Sequence, residues 1–303
     1  MAETTSKVVG LLNRPEYHQA VSVLQSLHKG QRSSLRAPVC QPMMEFQWTH
    51  WLTQSKKEVG GEAWGYEEPV AVFVGGHLLL GGLAELLRWA AESFGYRDSL
   101  SLTDYQTKAT QAYNDHISNP ERDYVFMDVC VEGDLIGRLV MELDTNLCPR
   151  TACNFLSLCT GERSEGVRES NSEEEKAPRM SYVNSLIHRV VPGGWIQGGD
   201  ICGGKGSGGT SIYEKVFEDE CYAVSHSSPG VLGMANHGRN TNSSQFYITL
   251  APAPWMDRQY VAFGRVVEGS RVLQRLAGLE TNNERPLERC QISNCGRLSP
   301  LTS

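Results

Sequence analysis

What most constrains this chain is a change of sequence grammar near residue 120. Before it, apolar residues recur by turns at strand and at helix spacing. After it, short β-branched runs are cut by glycine turns, with few helical stripes. In 303 residues, two such regimes read as two domains.

In the first regime, residues 1–98, Lys7–Leu12 reads as a strand and Pro15 opens a helix, its fixed φ suiting the first helical position. Tyr17, Ala20, Val21, Leu24 and Leu27 stripe that helix. Val39–Met44 is a second strand, and Phe46–Trp51 with Leu52 and Lys56 a second helix. Val70–Val74 and Leu78–Leu80 form a hairpin about Gly75-Gly76, and Leu83, Leu86, Leu87, Ala90 and Phe94 mark a last helix. The order β-α-β-α-β-β-α predicts an α/β sandwich. Trp48, Trp51, Trp64 and Trp89 are expected in its core or at a domain interface. Residues 99–121 are polar and read as a linker, helical or irregular, with 299–303 as a tail.

Composition narrows the function. Lys plus Arg number 28 against 35 Asp plus Glu, a net charge of −7, which argues against nucleic-acid and anionic-membrane partners. No apolar run nears the ~18 residues of a membrane span. The polar start Met1–Ser6 lacks a signal-peptide core, so a cytoplasmic location is expected. The nine cysteines include no CxxC pair and the eight histidines are dispersed, so reduced, mostly buried thiols and no metal or cofactor are expected. Gly204-Lys205-Gly206-Ser207-Gly208-Gly209 satisfies a nucleotide-loop pattern without a βαβ unit. Gly206 also stands where a P-loop needs Ser or Thr.

In the second regime, residues 122–298, Tyr124–Val131 and Leu135–Leu143 flank the turn signal Glu132-Gly133-Asp134. Pro149 introduces a helix striped by Ala152, Phe155, Leu156 and Cys159. Many short strands with glycine turns predict a closed barrel. Ile187-His188-Arg189-Val190-Val191-Pro192-Gly193, Ile196-Gln197-Gly198-Gly199-Asp200, Phe217-Glu218-Asp219-Glu220, Gly230-Val231-Leu232-Gly233-Met234-Ala235-Asn236, Asn242-Ser243-Ser244-Gln245-Phe246-Tyr247 and Val261-Ala262-Phe263-Gly264-Arg265-Val266 follow in order. Together they resemble the cyclophilins, peptidyl-prolyl cis-trans isomerases. That resemblance implies a mainly β fold, an eight-stranded barrel capped by two helices.

Isomerising an X-Pro bond means crossing a barrier of ~18–20 kcal/mol set by amide resonance. It needs an apolar pocket for the ring and a donor aimed at the prolyl nitrogen as the bond twists. By resemblance Arg189 is that donor. Gln197, Ala235, Asn236 and Gln245 match substrate-backbone positions, Gly206 borders the groove, and Tyr247 stands where a pocket phenylalanine is usual. Trp255 and Met256 match the pocket rim, Trp255 at the cyclosporin-contact position. Two departures stand out. The family's Pro-Gly-Phe-Met is Pro192-Gly193-Gly194-Trp195 here, putting Gly194 in place of a pocket wall, and Tyr260 replaces the far-rim histidine. An acidic insertion, Arg163–Arg179, precedes the Arg189 strand; it reads as a solvated loop or a partner-binding one.

The first domain resembles the glutaredoxin branch of the thioredoxin fold. Arg14-Pro15-Glu16-Tyr17 stands where that branch carries Cys-Pro-Tyr-Cys, and Pro69–Val74 precedes Gly81-Gly82. With neither motif cysteine present, it implies a docking role, not thiol chemistry. Two functions remain open. One is a weak or inactive isomerase acting as a proline-segment binder or assembly subunit; the other is an active isomerase assisting protein folding. The resemblance further points to partners in the radial spokes of the ciliary axoneme.

Overall fold

The computed structural model describes residues 4–30, 35–60, 64–75, 79–162 and 180–301; the acidic insertion lies outside them. The chain divides into two compact units, Met1–His116 with Pro300–Ser303, and Ile117–Ser299.

In the first unit, β1 (Ser6–Leu11) runs parallel to β2 (Val39–Met43) and antiparallel to β3 (Val70–Val74); β4 (Leu79–Gly81) completes the order β2-β1-β3-β4. A parallel pair requires a crossover, and α1 (Pro15–Lys29) supplies it. Alternation along β1 sends Val8 and Val9 to opposite faces. Val8 packs with Tyr17 and Leu24 of α1 and with Leu86 and Ala90 of α3 (Leu83–Phe94). Val9 packs with Trp48 of α2 (Glu45–Val59), whose ring stacks on Trp51 at 5.0 Å. Sheet and helices therefore form the expected α/β sandwich.

Three expectations change. The 99–121 linker contains α4 (Leu102–Ile117), where Tyr105, Ala109 and Tyr113 are buried at a spacing of four. Tyr105 donates to Asp98 at 2.9 Å; with Ile117 the stripe has four buried residues, and two are tyrosines, whose polar tips disguised a core stripe as a polar one. Trp64 is exposed. Four of the nine cysteines are buried, so the thiols are not mostly buried.

In the second unit, eight antiparallel strands run in the order β14-β5-β6-β11-β9-β10-β8-β7. They are β5 (Asp123–Val131), β6 (Asp134–Leu143), β7 (Ile187–Val191), β8 (Trp195–Gly198), β9 (Val231–Met234), β10 (Phe246–Thr249), β11 (Ala262–Glu268) and β14 (Cys290–Arg297). A short ribbon of β12 (Thr281–Asn282) and β13 (Arg285–Pro286) precedes β14. The first and last strands approach each other. Asn184 N–H donates to Ile292 O at 2.8 Å and Ile292 N–H to Ser185 O at 3.0 Å, so the sheet nearly closes. Closure removes the exposed edges an open sheet would present. Two helices cap it, α5 (Pro149–Thr160) and α6 (Ser270–Ala277). From α5, Phe155 enters an aromatic cluster with Tyr182, Phe246 and Phe263, all fully buried.

Candidate functional site

Strand register builds the site. Arg189 on β7 pairs with Gln197 on β8, Gln197 with Tyr247 on β10, and Tyr247 with Gly233 on β9. Residues paired across successive strands point to the same face, so three distant segments are set in one row. Trp195, two residues from Gln197, joins that face. A cavity of about 320 Å³ opens over the row. Arg189, Trp195, Gln197, Gly206, Ala235, Asn236, Tyr247, Trp255, Met256 and Tyr260 line it, joined by His188, Lys205, His237, Asn283 and Arg285.

Its apolar end is a cluster of Tyr247, Ala253 and Met256 with Trp195, Ala235 and Tyr260 against it. The 3-10 turn Pro254–Met256 divides two neighbours: Met256 is buried, while Trp255 is 55% exposed at the rim. Trp195 lies 5.7 Å from the Trp255 ring and forms wall surface where the family's phenylalanine is missing. Gly194 does not line the cavity; it sits in the β7–β8 turn, donating to Val191 O and accepting from Leu250 N–H.

Tyr247 keeps a ring in the pocket and buries its hydroxyl. The fully buried ring of His226 meets that hydroxyl through Nε2 over 2.6 Å and the Asp257 carboxylate through Nδ1 at 2.7 Å. Burial pushes the Tyr247 pKa well up, so the hydroxyl stays protonated. Room for it comes from Gly233, where a Cβ would meet the tyrosine oxygen at 2.1 Å.

Gln245 also stands behind the cavity rather than in its lining. Its Oε1 accepts from Gln197 Nε2 at 2.9 Å, while its own Nε2 donates to Gly206 O at 3.0 Å and Gly208 O at 2.7 Å. The glycine loop it grips is folded around Asp200, whose carboxylate accepts N–H bonds from Cys202, Gly203, Gly206 and Gly208. Burial raises the Asp200 pKa, but these four bonds outweigh it and hold the carboxyl at about 2. Gly206 has φ +88°, and a Cβ there would meet the His188 ring at 2.6 Å.

The donor Arg189 is not free. Its Nε donates to Glu284 Oε2 at 2.6 Å, with the two side chains 41% and 42% exposed, and its guanidinium lies 5.2 Å from the Trp195 ring centroid. Among the described residues its other nitrogens make no hydrogen bond. Glu284 has φ +65° in the β12–β13 turn, a left-handed conformation uncommon for such a residue, and its carbonyl accepts from Val190 N–H at 2.7 Å. This pins the acid beside the donor strand.

Ten of the twelve sequence-derived residues line the cavity, and Gln245 supports it from behind. Glu284, His226, Asp257 and Asp200 were missed as site residues; so were Lys205 and Arg285. All but Asp200, whose partners Cys202, Gly203, Gly206 and Gly208 follow it closely, act through a partner remote in sequence. Only the left-handed demand of a tight Asn283-Glu284 turn offered a signal.

Comparison with known proteins agrees with this geometry. The sequence profile of the "cyclophilin type peptidyl-prolyl cis-trans isomerase/CLD" family matches residues 126–297. Proteins named "Probable inactive peptidyl-prolyl cis-trans isomerase-like 6" from Homo sapiens and Mus musculus are 41% and 39% identical, each over 96% of this chain and 90% of their own length. One of that name from Bos taurus is 39% identical over 96% of this chain and 92% of its own. Barrel, groove and relatives thus converge, and the chain belongs to the cyclophilin family.

Proposed function

We propose that the groove captures proline-containing segments and isomerises them weakly or not at all, the protein serving as a binder or assembly subunit. The ion pair between Arg189 and Glu284 carries this reading. Catalysis gains from a donor whose hold tightens as the prolyl nitrogen leaves conjugation. A carboxylate already on Nε neutralises much of the guanidinium charge and blunts that gain, while the apolar wall that binds the ring is intact. The relatives' names, which call those proteins probable inactive isomerases, agree. One observation favours an active isomerase assisting folding instead: the remaining nitrogens of Arg189 are unpaired among the described residues.

Exchange NMR on an Ala-Pro peptide decides between the two. Saturable peptide shifts with a rate no faster than in Arg189→Ala support the binder. Acceleration abolished by Arg189→Ala establishes the enzyme.

The first unit is proposed as a thioredoxin-like docking domain. Its β2-β1-β3-β4 order and the helix opened by Pro15 support this. Radial-spoke partners and an axonemal setting are proposed from family resemblance; immunogold labelling of isolated axonemes tests them. Cyclosporin binding is proposed from the exposed Trp255 at the rim.

A further inference from the structure

No acidic residue is among those lining the cavity, although the whole chain carries −7. Three cations line it: Arg189, Lys205 and Arg285. Glu284 neutralises Arg189. The other two have no ion pair among the described residues. Arg285 is nevertheless held in place, its Nη2 donating to the backbone carbonyl of Lys205 at 2.9 Å, so β13 and the glycine loop bring the two cationic residues to one part of the cavity lining. Its charge reaches His188, where it adds to burial in holding that ring's pKa below its ordinary value. Asp200, whose charge acts on His188 in the opposite sense, is bonded to four backbone N–H groups, and Glu284 is bonded to Arg189.

We propose that Lys205 and Arg285 form an anion subsite, selecting proline segments that carry a carboxylate or phosphate side chain within about two residues of the proline. The inference rests on the binder reading above and gives it a ligand class. The cavity, at the small end of ligand pockets, holds roughly two or three residues, so a ring seated against Tyr247 and Met256 leaves the neighbouring side chain near the cations. Arg285 presents a planar fork suited to either anion, and its anchorage lowers the ordering cost of pairing. Glu284 already offsets the charge of Arg189, whereas Lys205 and Arg285 carry no ion pair among the described residues.

The test titrates the full-length protein with three peptides that differ only in the residue before proline: Ala-Pro, Glu-Pro and phosphoserine-Pro. The expected result at low salt is about tenfold tighter binding of an anionic peptide than of Ala-Pro. The preference should shrink in ~1 M salt, where the Debye length is ~3 Å. In Lys205→Ala/Arg285→Ala the ratio of anionic to neutral affinity should fall to about one. Should that variant unfold, Lys205→Gln and Arg285→Gln carry the same ratio test singly. Phosphoserine binding more tightly than glutamate assigns a phosphate ligand; glutamate equal or tighter assigns a carboxylate. Equal affinity for all three peptides in the native protein overturns the anion subsite and leaves the binder reading standing. No binding of any peptide by folded protein overturns both.

Discussion

The two ends of the cavity absorb sequence change differently. At the apolar end each altered residue has a companion. Gly194 has withdrawn into a turn and Trp195 supplies the wall; the added hydroxyl of Tyr247 meets His226 and a space left by Gly233. At the donor end Glu284 pairs with Arg189, and no described neighbour removes the acid. Shape at one end is kept by mutual fit, while at the other the donor's charge is paired off by Glu284. On the proposed reading such a groove binds proline while its donor adds little in the transition state.

The largest expected effect sharpens this comparison by attacking the scaffold behind both ends. Asp200→Ala orphans four loop N–H groups and should lower stability by about 3 kcal/mol, measured by urea unfolding. Its pKa is depressed from 3.8 to about 2, so its contribution is full above pH about 4 and is lost as pH falls toward 2. Native protein should accordingly lose roughly 2 kcal/mol across that window that the variant lacks.

Next comes Tyr247→Phe, which restores the family's ring but strands the buried Nε2 of His226. A loss of about 1–2 kcal/mol in the same assay is expected, and an unchanged melt would break the idea that His226 and the tyrosine are companions.

Glu284→Gln probes the uncompensated end. It keeps an acceptor for Arg189 and removes the charge, so the isomerisation rate should rise about tenfold, ~1.4 kcal/mol of barrier, and lose that gain when Arg189→Ala is added. A flat response would mean that the donor end is not what limits turnover. Smallest is Trp255→Ala. Being 55% exposed, it should move stability by less than about 0.5 kcal/mol while weakening cyclosporin and peptide binding in a fluorescence titration.

Much of this was legible in one dimension. β-branched runs between turn residues located the strands of the first unit and the β5–β6 pair, and Glu132-Gly133 announced that hairpin, because turn chemistry and alternation are local. Motif order exposed most of the cavity lining. A helix in 99–121 was one of the readings, but its core stripe escaped because half of it is tyrosine, polar by composition and buried by packing. Gly194 was misplaced because a family position was read as a wall, whereas its backbone belongs to a turn.

By itself, then, the sequence determined the first strands of each unit, the cap opened by Pro149 and, through ordered motifs, the residue types that can hold a proline ring, since each follows from periodicity, turn preference or motif order. Tertiary structure alone decided what those residues meet. The Arg189–Glu284 pair spans 95 positions and the Lys205–Arg285 pair 80, and both exist only because barrel closure brings the β12–β13 ribbon beside β7 and the glycine loop. Coulombic and hydrogen-bond partners are set by distance in space, and no local pattern encodes that distance.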